Sequence, residues 1–75
     1  REQAGLGEDF CIEVIRTLAR INNHPFSGVL VEEAIRHQLL RRFPYHILYQ
    51  VDETAIYILT IAHQHRRPGH WRRRL

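Results

Sequence analysis

The stretch FPYHILYQVDETAIYILTIAHQHRRPGHW, from Phe43 to Trp71, decides the fold of this 75-residue chain. Two apolar runs rich in β-branched and aromatic residues, 45–51 and 55–62, flank the polar triplet 52–54. Such runs around a short polar loop are typical of a β-hairpin. The second run is apolar on both faces, so it is predicted to lie at the centre of a sheet rather than at its edge.

The segment before the hairpin predicts one helix and one further strand. Between residues 7 and 21, apolar residues recur three or four positions apart, which is the period of an amphipathic helix. Cys11 and Ile15 widen the apolar stripe, so Cys11 is predicted to be a small core residue. Residues 26–33 are predicted to form a connection, and residues 35–40 alternate like a short strand.

Length and composition predict a single small domain over residues 1–75. Cys11 is the only cysteine, so no disulfide can form within the chain, and a lone cysteine fits a reducing compartment. No apolar run reaches the roughly 20 residues that span a bilayer, and no leader opens the chain. We therefore expect a soluble, cytoplasmic protein with no membrane partner, and we expect residues to precede Arg1.

The charge is distributed unevenly along the chain. All eight acidic residues lie at or before Glu53, whereas five of the eleven arginines lie at or after Arg66. A basic end of this kind indicates a phosphate-bearing or acidic partner, or simply a solvated tail.

The chemistry-bearing residues cluster after the second strand. His63, His65, Arg66 and Arg67 follow one another there, and His46, predicted to face a solvent-accessible cleft, lies on the preceding strand. A metal site is disfavoured because the arginines would repel a cation. Two further chemistries remain open: acid–base cleavage of RNA, with histidines moving protons and arginines holding the phosphate, and simple adhesion to an acidic partner. A solvated sheet rim without function is the remaining alternative.

Two blocks of the chain resemble the toxins of the RelE/ParE superfamily from bacterial type II toxin–antitoxin systems. They are RRFPYHILYQV (41–51) and ILTIAHQHRRPGHW (58–71), and residues 5–25 are similar to the second helix of that fold. The resemblance implies an α+β fold in which a helical hairpin packs on a three- to four-stranded antiparallel sheet. It also implies that the N-terminal strand and part of the first helix are missing here. A short helical turn, with Trp71 and Leu75 on one side, is predicted at the C-terminus.

The resemblance implies a function without a cofactor, and an antitoxin partner whose disordered part folds across the toxin. The complex with the antitoxin is expected to bind operator DNA. ParE-like members inhibit DNA gyrase, whereas RelE-like members cut mRNA on the ribosome without a metal. A third alternative is an inactive relative that only binds its antitoxin.

The residues favour the ParE-like branch, which is not enzymatic. Where the ribonucleases carry a strand arginine this chain has His46, and where they carry an arginine or lysine right after the last strand it has His63 and Gln64. The C-terminal tyrosine has no counterpart. If the chain is a ribonuclease, the catalytic residues are predicted to be His46, His63, His65, Arg66 and Arg67. The residues predicted to bind the target or partner are Arg66, Arg67, His70, Trp71, Arg72 and Arg73.

Overall fold

The computed structural model describes the backbone of residues 2–64 and the side chains of residues 7–64. One helix packs on one face of a four-stranded antiparallel sheet, which makes the fold α+β. The elements follow in the order α1 (Glu2–Asn23), a short 3-10 turn (Pro25–Ser27), β1 (Val29–Glu32), β2 (Ile35–Leu39), β3 (Tyr45–Val51) and β4 (Ile56–His63). The strands lie in chain order, β1-β2-β3-β4. Within the described part, no helix has both the length and the apolar character needed to cross a membrane.

Helix α1 contains the predicted helical segment and extends it at both ends. Its backbone is helical from Glu2 onward, so residues 2–6 belong to the helix. The helix ends before Pro25, as predicted, because the residue preceding a proline is pushed out of the helical region. The wide apolar stripe is wrong: Cys11 is exposed rather than a core residue, and Ile15 is 64% exposed.

The opposite flank of α1 holds the helix to the sheet. Glu13 is buried, and its Oε2 accepts a 3.0 Å hydrogen bond from the backbone amide of Arg41. About two turns further on, the guanidinium of Arg20 donates to the carbonyl oxygen of Leu39 at 3.0 Å. These bonds place α1 over the β2–β3 side of the sheet.

The hydrophobic core lies between α1 and the middle of β3. Ile21, Leu40, Ile47 and Tyr49 form its buried centre. It is extended by partly buried residues from the helix, the β2–β3 loop and the hairpin, namely Phe10, Val14, Leu18, Phe43, Tyr45, Val51 and Ile56.

The hairpin between β3 and β4 forms as the sequence predicts. Asp52 closes it, because its Oδ1 accepts hydrogen bonds from the backbone amides of Thr54 at 2.8 Å and Ala55 at 2.9 Å. The register of the pair shifts between Leu48 and Tyr49, which leaves Leu59 as an extra residue on β4, a β-bulge.

Two predictions about the sheet are wrong. Residues 29–32, predicted to be part of a connection, form β1, which pairs antiparallel with β2. Strand β4, predicted to be central, pairs with β3 alone among the described residues and forms an edge of the sheet. Among the described residues, two neighbouring strands therefore do not account for its apolar character.

Candidate functional site

The two faces of the sheet separate the histidines that the sequence groups together. His46 lies opposite Ala62, and Tyr45 lies opposite His63. Because residues opposite one another share a face and successive residues alternate, His46 and His63 point to opposite sides of the sheet. The predicted cluster of histidines is therefore divided between the two faces.

His46 pairs with His37, a residue that the sequence reading did not include in the site. The two Nδ1 atoms are 3.1 Å apart, and the rings meet edge to face with 5.2 Å between their centroids. Since one Nδ1 must donate and the other accept, only one of these two nitrogens carries a proton in this pairing. The position of His46 also differs from the prediction: its side chain is 4% exposed, so it does not face an open cleft.

His63 belongs to an aromatic group at the other side of the sheet. Its ring meets that of Tyr45 edge to face at 5.2 Å, and Tyr45 in turn meets Phe10 of α1 at 5.2 Å. The chain is anchored directly afterwards, because the amide of Gln64 donates to the carbonyl oxygen of Pro44 at 2.8 Å. This anchor fixes where the basic segment leaves the sheet.

The remaining predicted site residues lie outside the described residues. They are His65, Arg66, Arg67, His70, Trp71, Arg72 and Arg73, together with the predicted C-terminal helical turn. Of the predicted site residues, the structure therefore describes His46 and His63.

The geometry of the histidine pair is poorly suited to RNA cleavage. A base and an acid acting on a 2′-hydroxyl and a leaving oxygen must approach the phosphate from two positions. In this pair, one nitrogen of each ring is directed at the other ring, and His46 is buried. The neighbouring Arg36 is directed elsewhere, since its Nη1 donates to the carbonyl oxygen of Gly28 at 2.8 Å. Among the described side chains, no three His, Cys, Asp or Glu residues form a group that could hold a metal ion.

An exposed apolar surface lies beside the helix. Ile58 and Ile61 of β4 lie opposite the buried residues Tyr49 and Ile47, yet they are 45% and 41% exposed. The helix covers β3 without covering its neighbour, and Ile15 on α1 is exposed as well. We call Ile58 and Ile61, which lie on the same face of β4, the open isoleucine surface. Exposed apolar side chains grouped on one face in this way are characteristic of sites where another protein binds.

The end of the hairpin is acidic. Asp52 and Glu53 are both exposed in the β3–β4 turn. The pKa of Asp52 lies below its usual 3.8, first because the backbone amide of Thr54 donates to its carboxylate and next because that of Ala55 does so too. The turn is negatively charged at neutral pH, and in the sequence it precedes β4, whereas the basic segment follows β4.

The contact between His37 and His46 could have been predicted from the sequence, but only with the register of β2 and β3 known. The loop between β2 and β3 brings Leu39 opposite His46. His37, two residues before Leu39, is therefore the diagonal neighbour of His46 on the same face of the sheet. Aligning the predicted strands across that loop would have found the pair.

Comparison of the chain with known protein families, with curated proteins and with solved structures finds no match.

Proposed function

We propose that this chain is the toxin component of a type II toxin–antitoxin system, that it inhibits DNA gyrase by direct protein–protein contact, and that a cognate antitoxin neutralises it. The proposal starts from the resemblance of residues 41–51 and 58–71 to ParE-like toxins. The observation that carries the choice of mechanism is the separation of His46 from His63 on opposite faces of the sheet.

That separation weakens the ribonuclease alternative. A RelE-like reaction would need the base, the acid and the phosphate-binding arginines on one accessible surface. His46 is buried against His37, and His63 packs against Tyr45 on the other face. A protein that acts by contact has no such requirement, so the described geometry favours inhibition by binding.

The open isoleucine surface supports a function based on binding. Ile58 and Ile61 sit next to core residues of β3, so removing them from water continues an existing core. Apolar burial contributes roughly 25 cal/mol per Å². The five arginines after residue 65 add an electrostatic preference for an acidic partner. An antitoxin segment that is acidic and carries apolar residues would satisfy both features.

The direct test is a supercoiling assay with purified gyrase and the purified chain. We expect the chain to inhibit supercoiling and Arg72→Glu to weaken that inhibition, because the substitution reverses a charge in the predicted binding segment. Arg16→Glu is the matched control: it makes the same change at an exposed arginine on the helix, far along the chain from that segment. Equal effects of the two variants would argue against a binding role for the C-terminal segment.

A second arm separates binding from RNA cleavage. His37→Gln should leave gyrase inhibition unchanged, since it removes a proton-transfer group without changing the basic segment or the open isoleucine surface. Primer extension on translated mRNA after induction should show no new 5′ ends. New 5′ ends that disappear in His37→Gln would replace the proposal with the ribonuclease, and harmless overexpression with unaffected gyrase would indicate an inactive relative.

A further inference from the structure

We propose that β4 is a self-association edge: two copies of this chain pair antiparallel along β4 and form one continuous sheet across a two-fold axis. This inference does not depend on the proposed function. Its starting point is that, within residues 2–64, β4 has a strand neighbour on one side only. An edge strand offers a row of backbone donors and acceptors to any extended chain that fits it.

The two edges of the sheet are protected very differently. Strand β1 has four residues, shifts its register before Glu32 and is followed by Glu33, and such bulges and charges discourage pairing. Strand β4 has eight residues, and from Ile56 to Ala62 it contains neither a charge nor a proline. Of the two edges, β4 is therefore the one suited to accept another strand.

The exposed side chains of β4 fit a second copy of the same strand. The bulge at Leu59 shifts the alternation by one residue, so that Ile58 and Ile61 point to the helix side while Tyr57 and Ala62 point to the other side. In an antiparallel pair that faces Ile58 with Ile61 of the other copy, Tyr57 faces Ala62. The contact between Ile58 of one copy and Ile61 of the other then occurs twice, once on each side of the two-fold axis. In each of these pairs the two side chains lie on the same face of the joined sheet.

Space and charge agree with this arrangement. Neighbouring strands are about 4.8 Å apart, so two helices lying over β3 of each copy would be at least about 14 Å apart, which avoids a clash. The same pairing brings the acidic turn of one copy beside His63 of the other copy, the strand end after which the basic segment follows in the sequence. In the sequence, Arg66 and Arg67 follow His63, the last residue of β4, by three and four residues. Glu53 is exposed in the opposite turn.

This charge polarity selects a second copy rather than a parallel or random pairing. In the sequence, the acidic turn comes before β4 and the basic segment comes after it. An antiparallel partner with the same sequence presents each end with the opposite charge, on both sides of the two-fold axis. A parallel pairing would instead place like charges together.

Sedimentation equilibrium of the full chain from about 1 to 200 µM is the first test. We expect reversible dimerisation with a dissociation constant on the order of 10 µM, as suits a small interface. Ile58→Lys and Tyr57→Lys, on opposite faces of β4, should each weaken the dimer at least tenfold. Val29→Lys, the same kind of change at an exposed residue of β1, is the matched control and should have no effect. Far-UV circular dichroism identifies any variant that fails to fold.

A charge swap tests the direction of pairing. Glu53→Arg, and separately the double variant Arg66→Glu/Arg67→Glu, should each weaken self-association about tenfold, because each homodimer then faces like charges twice. Mixing the two variants should restore the dimer, since both contacts again join opposite charges. Asp52 is left unchanged because it closes the turn. A wild-type chain that remains monomeric at 200 µM overturns the proposal and leaves the edge to a strand of another protein, and failure of the mixture to recover overturns the antiparallel arrangement.

Discussion

A methyl group added at Gly28 should destabilise the fold through one identifiable clash. Gly28 lies just before β1, and it is buried beneath the ring of Tyr49. A Cβ atom there would overlap the Tyr49 hydroxyl and would lie 2.9 Å from the carbonyl oxygen of His37. The backbone of Gly28, with φ −70° and ψ 155°, suits any residue, so the penalty of Gly28→Ala is steric rather than conformational.

The magnitude follows from what Tyr49 does in this position. Its hydroxyl donates to the carbonyl oxygen of Pro25 at 2.8 Å and accepts from the amide of Gly28 at 3.2 Å. Overpacking a core costs about 1–3 kcal/mol, and a shift of the ring would also weaken two hydrogen bonds worth about 1 kcal/mol each. We expect Gly28→Ala to lower the free energy of unfolding by about 2–4 kcal/mol. That is a large share of the roughly 4–11 kcal/mol typical of a chain this long.

Urea denaturation followed by circular dichroism measures this loss as a lower midpoint with an unchanged slope. Gly7→Ala is the matched control, because a Cβ at Gly7 meets nothing within 4 Å and the residue lies in α1. Alanine is favoured over glycine in a helix by about 1 kcal/mol, so this variant should be more stable than the wild type. The same substitution thus has opposite signs at the two positions.

A double-mutant cycle with Tyr49→Phe decides whether the clash is the cause. Phenylalanine lacks the hydroxyl that the new methyl group would overlap, so Gly28→Ala should cost at least about 1 kcal/mol less in that background. Additive effects would show that the loss arises elsewhere, for example at His37. A neutral Gly28→Ala would refute the packing described around Tyr49.

Three further predictions concern buried and charged groups. Glu13→Ala should cost about 1–3 kcal/mol in urea denaturation, because the amide of Arg41 loses its acceptor; a loss below about 0.5 kcal/mol would contradict the contact. Since the pKa of Asp52 is lowered in the folded state, its stabilisation is complete above the unfolded value of 3.8 and is lost as the pH falls through the lower folded value. The stability difference between wild type and Asp52→Asn should therefore be constant at neutral pH and shrink below about pH 3.8, and a difference that persists unchanged at pH 2 would contradict this. His37→Ala should cost about 1 kcal/mol and alter the ring nitrogen resonances of His46 in NMR spectra, whereas unchanged resonances would exclude the pair.

Local patterns in the sequence predicted the elements whose own apolar residues repeat with the period of a helix or of a strand. The predicted helix 7–21 lies within Glu2–Asn23, and the predicted first hairpin strand is Tyr45–Val51 without change. The second hairpin strand is displaced by one residue at each end. These segments have a clear period of 3.6 or 2 in their apolar residues, which is set by backbone geometry alone.

Strand β1 was missed because its cause is not local. Val29–Glu32 is short, two of its four residues are exposed, and it shows no alternation that distinguishes a strand from a connection. It becomes a strand because the edge of β2 is available beside it, with Leu30 opposite Arg36. Pairing of this kind depends on the tertiary structure rather than on the residues of the segment.

The errors in the candidate site have the same origin. Alternation along a strand shows which residues share a face, but it does not tell which face is covered, and His46, predicted to face a solvent-accessible cleft, is buried. Likewise, the apolar residues on both sides of β4 indicated that these side chains favour burial, but they did not indicate which other element covers them. A sequence pattern shows which side chains are apolar enough to favour burial, whereas the arrangement of the other elements decides which of them are covered.

This distinction bears on where the chain meets other molecules. Exposed apolar residues also surround β1, but there the guanidinium of Arg36 lies 5.2 Å from the ring centre of Phe26. The open isoleucine surface has no charged residue on the strand that carries Ile58 and Ile61. A strand that is this apolar at an edge would promote aggregation unless a defined partner covers it. The two proposals therefore predict competition: an antitoxin segment that binds Ile58 and Ile61 should dissociate the self-paired dimer, and an acidic peptide that neutralises the toxin without shifting the monomer–dimer equilibrium would show that the two surfaces are separate.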